Sequence, residues 1–209
     1  MSETIIRTTT KLAMTIVERY VNKGDTVVDA TAGNVNDTLA LANLVGASGK
    51  VYAFDIQEEA IKRTGELLAE SPGFLNIGNI EKETICTANR AANNVVLICG
   101  PHEKMSFYIQ EKGRISAVVF NLGYLPSGNK NIHTTAESTI KAIKESLEIL
   151  KKGGIVSIVM YPGTEAGKNE RDAIMRYVKL LPFKKYHVCR CDAPNQTGAP
   201  PEILWIETK

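Results

Sequence analysis

Two strand-like runs, Tyr186–Cys191 and Ile203–Glu207, follow one another at the end of this chain with no helical segment between them. Five β-then-α units precede them, with strand-like cores at Thr26–Asp29, Val51–Asp55, Val95–Gly100, Ala117–Phe120 and Ile155–Met160. Parallel neighbours need a long crossover, commonly a helix, whereas antiparallel neighbours need only a short link. The order of segments therefore predicts an α/β fold whose seven-stranded sheet is mostly parallel and finishes in a C-terminal antiparallel hairpin.

The helical segments show the expected spacing. Leu12, Ile16, Val17 and Tyr20 mark a helix over Lys11–Val21, and Ile140, Ile143, Leu147 and Leu150 mark one over Ala136–Leu150. Further helices are expected over Asp37–Val45, with Asp37 as N-cap, over Glu58–Ala69, and over Arg171–Leu181. The stretch Pro72–Asn94 is rich in Asn, Thr and Gly with weak periodicity, which suits a short helix or a loop.

A chain of 209 residues fits one such unit, so residues 1–209 are taken as a single domain. Its 44% hydrophobic and 23% charged residues are those of an ordinary globular protein, and a net charge of +2 gives no general affinity for polyanions. No apolar run approaches the roughly 20 residues of a membrane span, and Met1–Lys11 is polar and threonine-rich, unlike a signal peptide. Cys86, Cys99, Cys189 and Cys191 form no CxxC pair and have no nearby His set, so they read as reduced thiols without a metal. A cytoplasmic location is expected. The oligomeric state stays open, a homodimer included.

In a parallel α/β sheet, ligands gather at the carboxyl ends of the strands where strand order reverses. The first such end reads Asp29-Ala-Thr-Ala-Gly33-Asn34-Val35-Asn36-Asp37. Glycine admits a ligand close to the backbone, and the helix that follows presents unpaired N–H groups. Asp55 closes the second strand 22 residues after Gly33, near the roughly 20 expected of an acid that binds ribose hydroxyls. Gln57 follows it. A dinucleotide is disfavoured, because its pyrophosphate needs three glycines and only Gly33 is present in this loop. S-adenosylmethionine has no phosphate and tolerates polar side chains there. His102, at the end of the third strand, is placed to stack on or hydrogen-bond an adenine.

The fourth strand runs into Asn121-Leu-Gly-Tyr124-Leu-Pro126. Many amino-group methyltransferases carry Asp or Asn, two prolines and an aromatic at this point. There the side-chain oxygen and a backbone carbonyl hold the hydrogens of the nitrogen, and the aromatic packs on the base. Asn121 and Tyr124 keep the outer positions here, with Leu122 and Gly123 between them.

Together the segments Asp29-Ala-Thr-x-Gly33-Asn34, Tyr52-Ala-Phe-Asp55-Ile-Gln57 and Asn121-Leu-Gly-Tyr-Leu-Pro-x-Gly128 resemble the bacterial tRNA 5-(aminomethyl)-2-thiouridine methyltransferases. The likeness spans nearly the whole chain and takes in His102, Thr135-x-Glu137-Ser138-Thr139 and Asn195-Gln196 before Pro200-Pro201. It implies the Rossmann-like class I methyltransferase fold and S-adenosyl-L-methionine as cofactor. It implies cofactor contacts from Asn34, Asn36, Asp55, Gln57 and His102, beside Asp29, Gly33 and Asp37 of the first strand end. Asn121 and Tyr124 would form the catalytic pocket, and the partner would be the anticodon region of tRNA. The family's second loop glycine is replaced by Val35, a β-branched residue unsuited to positive φ. Lys130, Lys141, Lys144, Lys184 and Arg190 are the candidate phosphate contacts. Other acceptors (rRNA, a protein or a small amine) and a non-catalytic RNA-binding protein are the competing readings.

Overall fold

The computed structural model describes residues 8–33, 35–70, 86–88, 94–123 and 134–209. Its strands are β1 (Thr26–Asp29), β2 (Lys50–Asp55), β3 (Cys86–Ala88), β4 (Asn94–Cys99), β5 (Ile115–Asn121), β6 (Leu150–Met160), β7 (Tyr186–Cys191) and β8 (Glu202–Thr208). They form one sheet in the order β3-β4-β2-β1-β5-β6-β8-β7. β4, β2, β1, β5 and β6 are mutually parallel, and β8 and β7 add on as an antiparallel pair. All seven expected strands are present. β3 adds an eighth, antiparallel to β4, inside the stretch Pro72–Asn94, most of which lies outside the described residues.

Alternation along the parallel strands divides the core in two. Val28, Tyr52, Phe54, Val96, Ile98, Val118, Phe120, Val156 and Ile158 face one way. There they pack on the short helix α4 (Met105–Tyr108), on α5 (Ala136–Ile149) and on α6 (Glu165–Val178). Val27, Val51, Ala53, Val95, Leu97, Ala117, Val119 and Ile155 face the other way, against α1 (Thr9–Val17), α2 (Val35–Val45) and α3 (Glu58–Glu70). With both faces covered, β5 is buried at six successive positions, Ile115–Phe120, which is why Ala117–Phe120 reads as an unbroken apolar run.

Some helix boundaries differ from expectation. α2 opens at Val35, so Asp37 lies inside its first turn and is not its N-cap. The backbone of Val35 is helical, a conformation open to a β-branched residue, so no positive φ is demanded there. α6 starts six residues before the expected Arg171. Thr164 caps it by accepting from the Gly167 N–H at 3.1 Å, and its first turns are largely exposed, leaving no apolar stripe to read. Cys99, Cys189 and Cys191 are not in disulfides. Among the described residues no helix is long and apolar enough to cross a membrane.

α5 begins with a reciprocal cap: the Thr135 hydroxyl accepts from the Ser138 N–H, and the Ser138 hydroxyl accepts from the Thr135 N–H. Such caps satisfy helix-end donors that would otherwise lack a partner. Replacing Thr135 with Ala should cost about 1 kcal/mol, readable as a lower urea midpoint at unchanged slope. An unchanged midpoint would show the cap to be dispensable.

Candidate functional site

β1 pairs with β2 on one side and β5 on the other, so strand order reverses at β1, and its carboxyl end is where a sheet of this kind takes its ligand. Asp29, the last residue of β1, is 1% exposed. Its Oδ1 accepts from the Thr31 N–H at 3.0 Å and its Oδ2 from the Thr38 hydroxyl of α2 at 2.5 Å. Burial, reinforced by the charge of Asp37, pushes the Asp29 carboxyl up to about 7 despite these donors. Burial likewise pushes Asp37 up to about 6, opposed by a hydrogen bond from Asn121.

Asn121 ends β5. Its backbone N–H donates to the Thr31 hydroxyl at 2.7 Å, and its Nδ2 donates to Asp37 Oδ2 at 3.3 Å. An ionised carboxylate only accepts, so the Asn121 amide must present its NH₂ to Asp37, which leaves Oδ1 for another donor. The Tyr161 hydroxyl also hydrogen-bonds this side chain, and burial together with Asp37 raises its pKa. Tyr161 directly follows β6. Gly167, in the first turn of α6, packs so tightly against it that a Cβ there would collide with the Tyr161 carbonyl oxygen. The approach of this helix to the strand end therefore requires glycine.

Asp55 closes β2. Its Oδ1 accepts from the Gln57 N–H at 2.8 Å, and the backbone N–H groups of Gly33 and Ile56 also donate to it. Burial is the stronger influence and raises its pKa. The carboxylate thus ties the loop after β1 to the end of β2, and with about four lone-pair sites it keeps capacity for a further donor. Beyond β4, His102 opens a short 3₁₀ turn, His102–Lys104. Its Nδ1 lies 3.0 Å from the Ala30 carbonyl oxygen, so Nδ1 carries the proton. Its ring meets Phe120 edge-on at 5.7 Å, and burial lowers its pKa, keeping it neutral.

The structure therefore brings Asp29, Gly33, Asp37, Asp55, Gln57, His102 and Asn121 to adjoining strand ends. Asn36 lies exposed in the first turn of α2. Asn34 and Tyr124 lie outside the described residues. Sequence reasoning missed Thr31, whose hydroxyl joins β1 to β5, and Tyr161. The position of Tyr161 at the end of a parallel strand was the available signal. Among the candidate phosphate contacts, Lys141 pairs with Glu137 at 2.7 Å, Arg190 pairs with Asp192 and Glu202, and Lys144 stands 5.6 Å over the Tyr177 ring. Lys130 lies outside the described residues.

The model of a family described as "Putative rRNA methylase" matches residues 51–207. The chain belongs to this family. It is 39% identical over 196 residues to an Arabidopsis thaliana protein named tRNA (mnm(5)s(2)U34)-methyltransferase, chloroplastic; the match covers 91% of this chain and 66% of that one. The chain thus spans slightly less than two thirds of that relative. A Clostridium thermocellum protein of the same rRNA-methylase description superposes with a TM-score of 0.84 at 38% identity, covering 96% of this chain and 97% of that one. A "putative methyltransferase" from Streptococcus mutans, solved in complex with SAH, gives 0.77 at 34% identity, with both chains fully covered. The family's fold is the class I methyltransferase fold, and its cofactor is S-adenosylmethionine.

The buried carboxyls make a prediction about pH. The folded protein holds the Asp29 proton up to about pH 7, while an unfolded Asp releases it near pH 4. Between these values the folded state binds more protons, so this group makes stability fall as pH rises. Asp29→Asn should flatten that fall, gaining on the native protein at pH 8 relative to pH 4.5 in urea titrations. Two curves that stay parallel across this window would contradict the shift.

Proposed function

We propose that this protein uses S-adenosylmethionine to N-methylate the 5-aminomethyl group of a wobble (2-thio)uridine in tRNA. The observation that carries the proposal is Asn121, fixed at the end of β5 by Thr31, Asp37 and Tyr161 with its amide oxygen left to accept a hydrogen. The 39% identity to a protein named for methylation at U34 of tRNA supports the choice of substrate.

The donor set fits the cofactor. Asp29 and Asp37 are carboxyls largely withdrawn from water, and the sulfonium and ammonium charges of the cofactor would favour their ionised forms. Asp55 retains capacity for ribose hydroxyls, and the neighbouring Ile56, 54% exposed, offers an apolar face to the adenine. Gly33, Asn34, Asn36, Asp37 and Gln57 complete the proposed cofactor contacts. His102, committed to Ala30, supports the end of β1 from behind. When bound, the cofactor supplies an electrophilic methyl group.

What the chain contributes is position and exclusion of water. An alkylamine with a pKa of roughly 10 is protonated in water and must release a proton to solvent before its lone pair can attack. Desolvation beside the buried end of β5 favours the neutral amine. Asn121 Oδ1 accepts one of its hydrogens and so directs the lone pair, while Tyr124 packs on the base. Holding the reactants in line is the main source of acceleration. Lys141, Lys144, Lys184 and Arg190 are proposed phosphate contacts, because an exposed ion pair such as Lys141–Glu137 is worth little and yields readily to a phosphate. tRNA binding would then weaken steeply with salt.

Asn121→Ala tests the assignment. Turnover on tRNA should fall about a hundredfold, the scale of a lost oriented acceptor, with cofactor affinity by calorimetry within twofold of the native value. Equal loss of both would remove Asn121 from the reacting end.

A further inference from the structure

Glu170, on α6, is 5% exposed, and burying a charge is costly unless it is well bonded. Its Oε1 accepts from the Thr139 hydroxyl of α5 at 2.6 Å, and its Oε2 accepts from the Thr134 hydroxyl at 3.0 Å. The first bond is a brace between two helices. The second leads towards the reacting end: Thr134 Oγ1 accepts from the Gly123 N–H at 3.1 Å, and the Thr134 N–H donates to the Gly123 carbonyl at 3.3 Å.

That N–H belongs to the Leu122–Gly123 peptide, next to Asn121. Three successive N–H groups at the end of β5 are thus held by three different elements. Asn121 donates to Thr31 beyond β1, Leu122 to the Val159 carbonyl of β6 at 3.0 Å, and Gly123 to Thr134 before α5. Gly123 has φ +123°, a conformation that any side chain would strain. A planar trans peptide points its carbonyl opposite to its N–H, so the Leu122 carbonyl faces away from Thr134 and α6. Thr134 donates to a carboxylate while it accepts from the peptide. The charge-assisted bond makes its oxygen the better acceptor and polarises the peptide towards its carbonyl oxygen.

We propose that Glu170 is a positioning residue which, through Thr134, aims and polarises the Leu122 carbonyl as the second acceptor for the hydrogens of the incoming amine. This rests on the amine reading of the acceptor given above. Asn121 Oδ1 and the Leu122 carbonyl then hold the two hydrogens of the neutral amine, and the lone pair is left pointing at the methyl group. No proton passes through Glu170.

The two hydroxyls on Glu170 separate this role from mere bracing. Thr134→Val breaks the relay and Glu170→Gln removes its charge, both at nearly constant shape, while Thr139→Val removes only the brace. With tRNA carrying 5-aminomethyl-2-thiouridine, the first two variants should lose about tenfold in kcat, the scale of one hydrogen bond. KM for tRNA and the dissociation constant for the cofactor should stay within twofold. Thr134→Ser should recover most of the loss, and Thr139→Val should keep the native kcat. Native kcat in Thr134→Val, or an equal loss in Thr139→Val, would overturn the positioning role while leaving the amine reading intact. A native enzyme whose methyl group is found on a base carbon or ribose oxygen would overturn both.

Discussion

A carboxyl group that cannot reach water organises the business end of this protein. Asp29 terminates β1 in the middle of the sheet, where strands on either side and α2 beyond shut it in. Its burial is tolerable only because Thr31 and Thr38 donate to it, and those same donors set the path of the chain into α2. Once Thr31 is fixed, its hydroxyl receives the N–H of Asn121. Once α2 is fixed, Asp37 stands where the Asn121 amide can reach it. One desolvated acid thus links the loop after β1 to the end of β5, and its charge state will respond to any cation bound between them.

The end of β5 shows how a loop-borne site gains rigidity from the sheet. Its last backbone donors are taken by partners from other elements, so three consecutive peptides have settled orientations. This matters because positional catalysis loses its advantage when groups drift by an ångström. Gly123 permits the turn and Gly167 permits α6 to close on Tyr161. Both are places where a Cβ would strain the turn or displace Tyr161, beside Asn121. The two glycines are separated by 44 positions in the sequence and act on the same corner.

The sheet was legible because its signal is local and repeated. Apolar runs alternating with helical spacing announced the parallel strands, and Tyr186–Cys191 followed directly by Ile203–Glu207 announced the hairpin. Asp29, Asp55 and Asn121 were legible because each closes a strand. The connections among them were not. Asn121 lies 84 positions from Asp37 and 90 from Thr31, and nothing in the neighbourhood of either residue marks the pairing. Glu170 has no local mark for the same reason, since its hydroxyl partners lie 31 and 36 positions away, whereas Tyr161 has one in its place at the end of a parallel strand. The start of α6 was misread because a cap and exposed first turns carry no apolar period. As a β-branched residue Val35 is unsuited to a loop position of positive φ. The helix begins there instead.

The central claim is that the end of β5 presents a nitrogen to the methyl donor. The most direct test is nucleoside mass spectrometry of hypomethylated tRNA treated with the native protein and methyl-labelled S-adenosylmethionine. Label on the exocyclic aminomethyl nitrogen of the wobble uridine is the predicted result. Label on a base carbon, on a ribose oxygen or on another nucleotide would contradict the account.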